Sequence, residues 1–327
     1  LNASGRHDPQ DDTGSARIDL LPVRFRSGPK AFQPEQLFPG LGDGIGSVDG
    51  SLEGRAELSW KDGELSSRGQ LRLPDASLAA EGWGIEGLAG ALDLVNLWPL
   101  ETAAGQRLSF RRLQAGLPLE DGEIQLRVGP GWEQLELESA SGRLAGGLLR
   151  VKGRLDFQAG VQQLDFQVQE LSLAEVVELA EVERLEVSGT LAGKLPLVLR
   201  DGQPTMLAGR LVADPPAGSI RYRPETAPAA LASLGAQGEL ILRALEDFQY
   251  ESLEVDLDIE AGGQARLLVQ LKGRNPAIEG GRPIHLNLDL SGPLLDVLQT
   301  DPLMRDVVER FSRGALERGT AAPPRTE

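Results

Sequence analysis

The sequence predicts a mainly β protein in which many short antiparallel strands share one apolar face. Apolar and polar residues alternate most clearly in three runs, at Leu253–Ile259, Leu267–Leu271 and Ile284–Leu290. Because successive side chains of a strand point to opposite faces, each run forms one apolar and one polar face. The 40 glycines and 21 prolines in 327 residues indicate many short elements joined by turns. Such punctuation favours a chain of hairpins over an α/β fold.

Composition excludes several classes of function. Hydrophobic residues make up 40% of the chain but aromatic residues only 4%, so any core is aliphatic. A net charge of -16 argues against nucleic-acid binding, which needs an excess of Lys and Arg. The absence of cysteine excludes disulfides, thiolate catalysis and Cys-based metal sites. The sequence contains no run of 18 apolar residues, so it predicts no membrane span within these residues. The chain begins at Leu1 without a signal peptide, so we interpret it as a fragment or processed form with any membrane anchor upstream.

The strand pattern can be followed along most of the chain. A polar, mobile opening stretch from Leu1 to Gly14 precedes a first strand at Arg17–Phe25 and a connection rich in Pro and Gly. Asp121-Gly122 has the composition of a hairpin turn. Further predicted strands are Ile85–Val95, Leu108–Gln114, Glu123–Val128, Gln134–Glu138, Leu148–Leu155, Leu164–Val168, Ser219–Tyr222 and Gln237–Leu242.

Three short helices are predicted to interrupt the strands. Ser172 and Glu175 form a capping box, which predicts a helix with Val176, Val177 and Ala180 on one face. A weaker pattern covers residues 228–234. The third helix starts at Asp301-Pro302, with Asp as N-cap and Pro at the first helical position. The apolar stripe of this third helix consists of Leu303, Val307, Val308 and Phe311.

The sequence also contains an internal similarity. Val48–Gly63 aligns without a gap to Val187–Gly202, and each segment ends in an Asp-Gly pair. We interpret the two segments as the openings of two repeats, with chance similarity in a Gly- and Leu-rich chain as the alternative. The predicted organisation is a partly disordered lead-in with the first strand at 1–45, repeats at 46–184 and 185–318, and a disordered tail at 319–327. The C-terminal helix would cap the second repeat.

No catalytic or metal-binding motif is present. His7 lies in the polar opening stretch and His285 at an outward strand position, and the sequence contains no nucleophile elbow, P-loop or His/Glu metal motif. We therefore expect no enzyme activity, no cofactor and no metal. Carboxylates at every second position of a strand lie about 7 Å apart, too wide to share one cation without other ligands. We interpret one such set as a solvated outer face: Glu254, Asp256, Asp258 and Glu260.

The order of several segments resembles the C-terminal part of the YdbH family, which is AsmA-like and related to TamB and YhdP. These segments are Gly46–Gly54 followed by the Asp62-Gly63 hairpin, then Leu113–Gly122 and Leu171–Glu175. The closing Leu-rich strand and the Pro-started helix complete a resemblance over residues 16–318. It implies an inner-membrane-anchored bridge in the periplasm of a Gram-negative bacterium. It also implies phospholipid transport between the two membranes and an outer-membrane lipoprotein, resembling YnbE, that adds strands to the C-terminal edge.

The resemblance implies an elongated, curled antiparallel sheet that forms an open apolar groove for phospholipid acyl chains, with a few short helices and two weak internal repeats. A structural or adhesive β protein with a closed core and a strand-adding edge is the alternative. Ile284, Leu286, Leu288 and Leu290 belong to the predicted partner edge strand. The predicted groove lining is Leu126, Val128, Leu135, Leu137, Phe166, Val168, Val255, Leu257, Ile259, Leu267, Val269, Leu271, Ile284, Leu286, Leu288 and Leu290.

Overall fold

The fold is mainly β, with one large antiparallel sheet that does not close on itself. The chain divides into two compact units. Unit 1 comprises residues 1–142 and 151–162, and unit 2 comprises residues 143–150 and 163–327. The computed structural model describes residues 1–27, 32, 46–80, 83–115, 117–156, 159–179, 184–200, 203–227, 229–232, 235–278 and 280–293.

Unit 1 is built from long antiparallel strands that pair mostly in chain order. The ladder runs β1-β2-β3-β4-β5-β7-β8, and the short β6 pairs with the end of β5. A 3-10 turn at Pro130–Trp132 follows β8. The strands are β1 (Asn2–Asp8), β2 (Thr13–Phe25), β3 (Ser47–Lys61), β4 (Glu64–Ala80), β5 (Trp83–Leu97), β6 (Leu100–Thr102), β7 (Gln106–Ala115) and β8 (Leu117–Val128). Three further strands contribute residues to both units, namely β9 (Gln134–Leu144), β10 (Gly147–Asp156) and β11 (Val161–Ser172).

Unit 2 combines a second ladder with short helices. Its antiparallel order is β13-β14-β16-β17-β18, and β15 pairs with both β12 and β16. The helices are α1 (Leu173–Leu179), α2 (Ala229–Ala232) and α3 (Ala236–Leu245). The strands are β12 (Leu185–Val187), β13 (Thr190–Arg200), β14 (Gln203–Ala213), β15 (Ser219–Tyr222), β16 (Phe248–Ile259), β17 (Gln264–Arg274) and β18 (Pro283–Pro293).

Most predicted strands lie inside observed ones, and Ser219–Tyr222 has the predicted bounds. The prediction that the opening stretch is mobile is wrong for Asn2–Asp8. These residues form β1, which pairs with β2 over its whole length. Its residues are all exposed and include no large aliphatic side chain, so they lack the alternation on which the strand predictions depend.

The predicted strand at Gln237–Leu242 is wrong, because these residues belong to helix α3. Ala244 and Leu245 are buried and Ile241 packs against the same core, whereas Leu240 is 57% exposed. This spacing of apolar residues is that of one helix face. The short run of apolar residues fits both periods, and packing against the sheet decides in favour of the helix.

The predicted hairpin at Asp121-Gly122 is also wrong, because both residues lie inside β8. Gly122 pairs with Phe110 of β7, and a Cβ built on Gly122 would lie 2.0 Å from Cζ of that ring. The glycine therefore provides space for a buried aromatic ring instead of forming a turn. Asp121 has a positive φ of 48°, so the local backbone keeps a turn-like residue within the strand.

The helix predictions fare better where the structure describes them. The amide of Glu175 donates a hydrogen bond of 3.3 Å to Oγ of Ser172, which confirms the predicted cap of α1. Helix α2 lies within the predicted segment 228–234. The C-terminal helix at 301–311, the tail at 319–327, most of the connection at 28–45 and the turn at Asp201-Gly202 lie outside the described residues.

The two segments of the predicted repeat occupy comparable hairpins. Gly54 pairs with Leu71 across β3 and β4, and Gly193 pairs with Leu211 across β13 and β14. Both pairs join a glycine of one aligned segment to a leucine of the following strand. That the two hairpins are true repeats stays a prediction. The boundaries at 46–184 and 185–318 likewise remain predictions.

A line of register shifts crosses unit 1 and bends its longest strands. The shifts fall between Leu20 and Val23 in β2, between Gly50 and Glu53 in β3, and after Leu73 in β4. Irregularities of this kind bend a strand and increase its twist. We call this line the crease. One buried cluster takes residues from both sides of the crease: Phe25, Val48 and Leu52 are buried, with Leu20, Val23, Leu71, Leu73 and Leu78 packed against them.

The close contact at Gly122 generates a stability prediction. Gly122→Ala should lower the free energy of unfolding by about 1–3 kcal/mol, because the added methyl overpacks the buried Phe110 ring. Gly84→Ala is the matched control, since its Cβ would meet only the Leu78 carbonyl at 3.5 Å. Urea unfolding of both variants measures the difference, and equal stabilities would contradict the packing seen here.

Candidate functional site

The apolar face of unit 2 consists of four rows of side chains that run across paired strands. Directly paired residues of an antiparallel sheet lie on the same face, so the register defines each row. Row 1 is Leu253, Leu271 and Leu286; row 2 is Leu211, Val255, Val269 and Leu288; row 3 is Leu257, Leu267 and Leu290; row 4 is Met206, Ile259 and Ala265.

The two outer rows are buried and the two middle rows are not. Row 1 residues are between 2% and 9% exposed, and row 4 residues between 3% and 6%. Every row 2 residue is half-buried, as are Leu257 and Leu267 of row 3. A second layer of structure normally covers the apolar face of a sheet. Rows 2 and 3 therefore form an aliphatic strip that the described residues leave partly exposed.

Helix α3 belongs to the cluster that buries row 1. This cluster joins row 1 to Ala244 and Leu245 of the helix, to Phe248 and Tyr250 at the start of β16, and to three residues of other strands, Val168, Leu171 and Leu191. The Tyr250 hydroxyl donates a hydrogen bond of 2.6 Å to the Ser188 carbonyl. Burial raises the pKa of this phenol.

A buried asparagine fixes the end of α3. Asn275 is 2% exposed, and its Nδ2 donates hydrogen bonds of 3.1 Å to the carbonyls of Arg243 and Ala244. Its Oδ1 accepts a bond of 2.8 Å from the amide of Ala277. Both carbonyls belong to the last turn of the helix, where no intrahelical donor reaches them. Asn275 therefore ties the helix terminus to the loop after β17.

The opposite face of the same strands is charged and ion-paired. Arg210 reaches Glu254 at 2.6 Å and Asp256 at 3.3 Å, and Asp258 accepts the amide of Ala208 at 2.8 Å. The predicted outer face is thus correct in position, but the carboxylates of Glu254, Asp256 and Asp258 have protein partners as well as solvent. Among the described residues, no group of three or more His, Asp or Glu could hold a metal ion.

A cross-strand ion pair joins the last two strands on this polar face. Arg266 of β17 donates two hydrogen bonds to Asp289 of β18, from Nε at 3.0 Å and from Nη2 at 2.6 Å. These hydrogen bonds lower the pKa of Asp289 below its ordinary value. Bidentate pairing of this kind is directional, so it favours the observed register of β18 on β17.

Unit 1 has its own apolar rows, which the sequence did not reveal. Several positions on the apolar face of unit 1 are glycine, so large apolar side chains do not alternate regularly within each strand. The leucines form rows only when the cross-strand register is known. Most of the leucines are half-buried, and the described residues of unit 1 form no α-helix. The rows are Val48, Leu78, Ile85, Leu113 and Leu119; Leu20, Gly54, Leu71 and Leu92; and Leu73, Gly90, Leu108 and Ile124.

The predicted lining residues separate into two environments. Half-buried positions are Leu135, Leu137, Phe166, Val255, Leu257, Leu267, Val269, Ile284 and Leu288. Buried positions, which pack within the protein, are Leu126, Val128, Val168, Ile259, Leu271 and Leu286. The structure places Leu290 opposite Leu267 by register.

A large depression of unit 1 lies on the polar face and not on the apolar one. It measures about 840 Å³, and most of its lining residues are serines, arginines and one glutamate of β1 to β4, with Gly5, Ala16, Leu58 and Val95 as the others. Glu57 lies between Arg17 at 2.8 Å and Arg68 at 2.7 Å, and their hydrogen bonds lower the pKa of Glu57. Such charged walls do not suit an apolar ligand, so the apolar rows are the better candidate site.

Fold and faces together define a class of protein: a mainly β protein whose sheet carries extended, partly uncovered aliphatic rows on one side and paired charges on the other. The chain belongs to the YdbH-like family, described as intermembrane phospholipid transport protein YdbH, whose family model matches residues 1–313. Family membership implies intermembrane phospholipid transport and suggests a location in the cell envelope. No curated protein and no solved structure shows a significant match. None of the described helices is long and apolar enough to cross a membrane.

Proposed function

We propose that this chain is a segment of a periplasmic bridge that shields phospholipid acyl chains in a hydrophobic groove between the inner and outer membranes of a Gram-negative bacterium. The observation that carries the proposal is the strip of half-buried aliphatic side chains formed by rows 2 and 3. An acyl chain lying on the strip would gain about 0.8 kcal/mol for each CH₂ removed from water. The contact is non-directional, so lipid could slide along the rows without a fixed headgroup site.

The crease supports the same proposal in unit 1. Side chains at the crease are buried, while most leucines of the rows on either side stay half-buried. A sheet bent towards its apolar face would provide two apolar walls for one acyl chain. The polar face, with its ion pairs and the net charge of -16, keeps the outside of such a bridge in water.

The closed-core alternative is not favoured. A closed core predicts that rows 2 and 3 are as buried as rows 1 and 4. The described side chains of rows 2 and 3 are instead half-buried, while their neighbours on the same strands are below 10% exposed. Neither the described residues nor the family description indicates a reaction. The proposal therefore assigns no catalytic residue.

Neighbouring leucines of β17 provide a matched test. Leu267 belongs to row 3, whereas Leu268 pairs with Asp256 and Asp289 on the polar face, and both are half-buried. Leu267→Asn should weaken binding of an acyl-labelled phospholipid about tenfold, because burying an amide against hydrocarbon costs about 1–3 kcal/mol. Leu268→Asn should leave binding unchanged.

Fluorescence titration with the labelled lipid measures both variants, and circular dichroism and urea unfolding check their folds. Equal loss of binding in the two variants would contradict the proposal. Unfolding of the Leu267→Asn variant alone would also contradict it, since that outcome is expected of a closed core.

The proposal includes partners at both ends of the bridge. The family resemblance supports an inner-membrane anchor upstream and an outer-membrane lipoprotein, resembling YnbE, that adds a strand at the edge. Strand β18 suits that role, because all of its described registers are with β17. An edge strand offers unpaired N–H and C=O groups to an incoming strand. Its row residues, among them Ile284, Leu286, Leu288 and Leu290, would extend across the added strand.

Hydrogen exchange tests the edge. On addition of the lipoprotein, the amides of β18 that point away from β17 should gain protection, because they would bond to the added strand. Amides of β17 are the internal control, since β16 and β18 already flank that strand. Unchanged exchange in β18 despite binding would place the partner elsewhere.

A further inference from the structure

We propose that helix α3 is a fixed side wall of the acyl path in unit 2, so that lipid contacts rows 2 and 3 but does not reach row 1. This inference rests on the proposed function, and it adds which part of the apolar face the lipid uses. Row 1 continues the same face with leucine side chains. Composition alone would therefore assign row 1 to the groove.

The boundary between covered and open rows is sharp on three strands. Leu253, Leu271 and Leu286 are 5%, 2% and 9% exposed. Their neighbours two positions along, in row 2, are all half-buried. Residues two apart on a strand are separated by only about 7 Å. A loosely packed face would show a gradual change, whereas a change at the same row on β16, β17 and β18 indicates a rigid cover.

The attachments of α3 are those of a fixed element. Ala244 is 1% exposed, Phe248 0% and Tyr250 2%. Lifting the helix would break the two bonds from Asn275 and would open the cluster that holds Tyr250. It would leave polar groups without partners in a buried setting, which is strongly unfavourable. Asn275 and Tyr250 are accordingly positioning residues for the wall.

The opposite border of the strip is closed as well. Row 4 is buried, and Leu195, Leu197 and Leu257 pack against it. The open strip is thus two rows wide, with about 7 Å between row centres. Carbon atoms in contact are separated by about 4 Å, so this width matches two acyl chains side by side. The strip fits the acyl pair of one diacyl phospholipid, and a lipid with more acyl chains would need row 1.

Photolabelling tests the wall without substituting the sheet. The probe is phosphatidylethanolamine with a diazirine on one acyl chain, loaded onto the purified chain, with labelled residues mapped by mass spectrometry. We expect about tenfold more label on rows 2 and 3 than on row 1, the preference that burial of two methylene groups gives. Label spread evenly over all four rows would overturn the wall while leaving the proposed function intact. Absence of label from every row would contradict the proposed function itself.

A variant pair tests what holds the wall. Asn275→Ala removes both hydrogen bonds to the end of α3 and should raise labelling of Leu253 and Leu271 severalfold. Asn287→Ala is the matched control, because Asn287 is exposed on β18. Unchanged labelling of row 1 in the folded Asn275→Ala variant would overturn the positioning role of Asn275.

Discussion

Antiparallel register holds the aliphatic side chains of this protein in rows, and the rest of the structure depends on that register. A slip of one residue would exchange the two faces of a strand. Val255 would then oppose a residue of the polar face, Leu268 or Gln270, and a slip of β18 on β17 would lose the pairing of Arg266 with Asp289. The ion pairs on the polar face and the apolar rows on the opposite face both favour the same cross-strand register. The interactions of each face therefore stabilise the register on which the other face depends.

Where the structure describes the chain, the apolar face of the sheet is only partly covered, because the chain places few helices and large side chains on it. The described part of unit 1 bends its sheet at the crease, where Val48 and Leu52 are buried, and places no α-helix on the apolar face. Unit 2 instead uses α3 and the aromatic residues Phe248 and Tyr250 to cover row 1. With aromatic residues at only 4% of the chain, few bulky side chains are present to fill what the helix leaves open. Half-buried aliphatic rows gain free energy by binding hydrocarbon, because binding removes their remaining exposed apolar surface from water.

The sequence predicted the strands well, because period-two alternation is a local property. Five of the predicted lining residues lie in the half-buried rows 2 and 3, while their contact with lipid stays a prediction: Val255, Leu257, Leu267, Val269 and Leu288. Burial of Leu271 and Leu286 could not be predicted, since it depends on a cluster of residues distant in sequence, including those of α3, whose apolar residues fit a strand as well as a helix. The rows of unit 1 were missed because glycine occupies inward positions such as Gly54 and Gly90, and only cross-strand pairing reveals the leucines beside them. Gly122 was misinterpreted as a turn because its partner, Phe110, lies on another strand.

Lipid binding by the aliphatic rows is tested most directly by purifying this chain from a Gram-negative host, washing it stringently and analysing its organic extract by mass spectrometry. We expect phospholipid in stoichiometric amount, held by the half-buried rows. A stable, folded protein that carries no lipid, and takes up none when offered phospholipid vesicles, would contradict lipid binding by these rows.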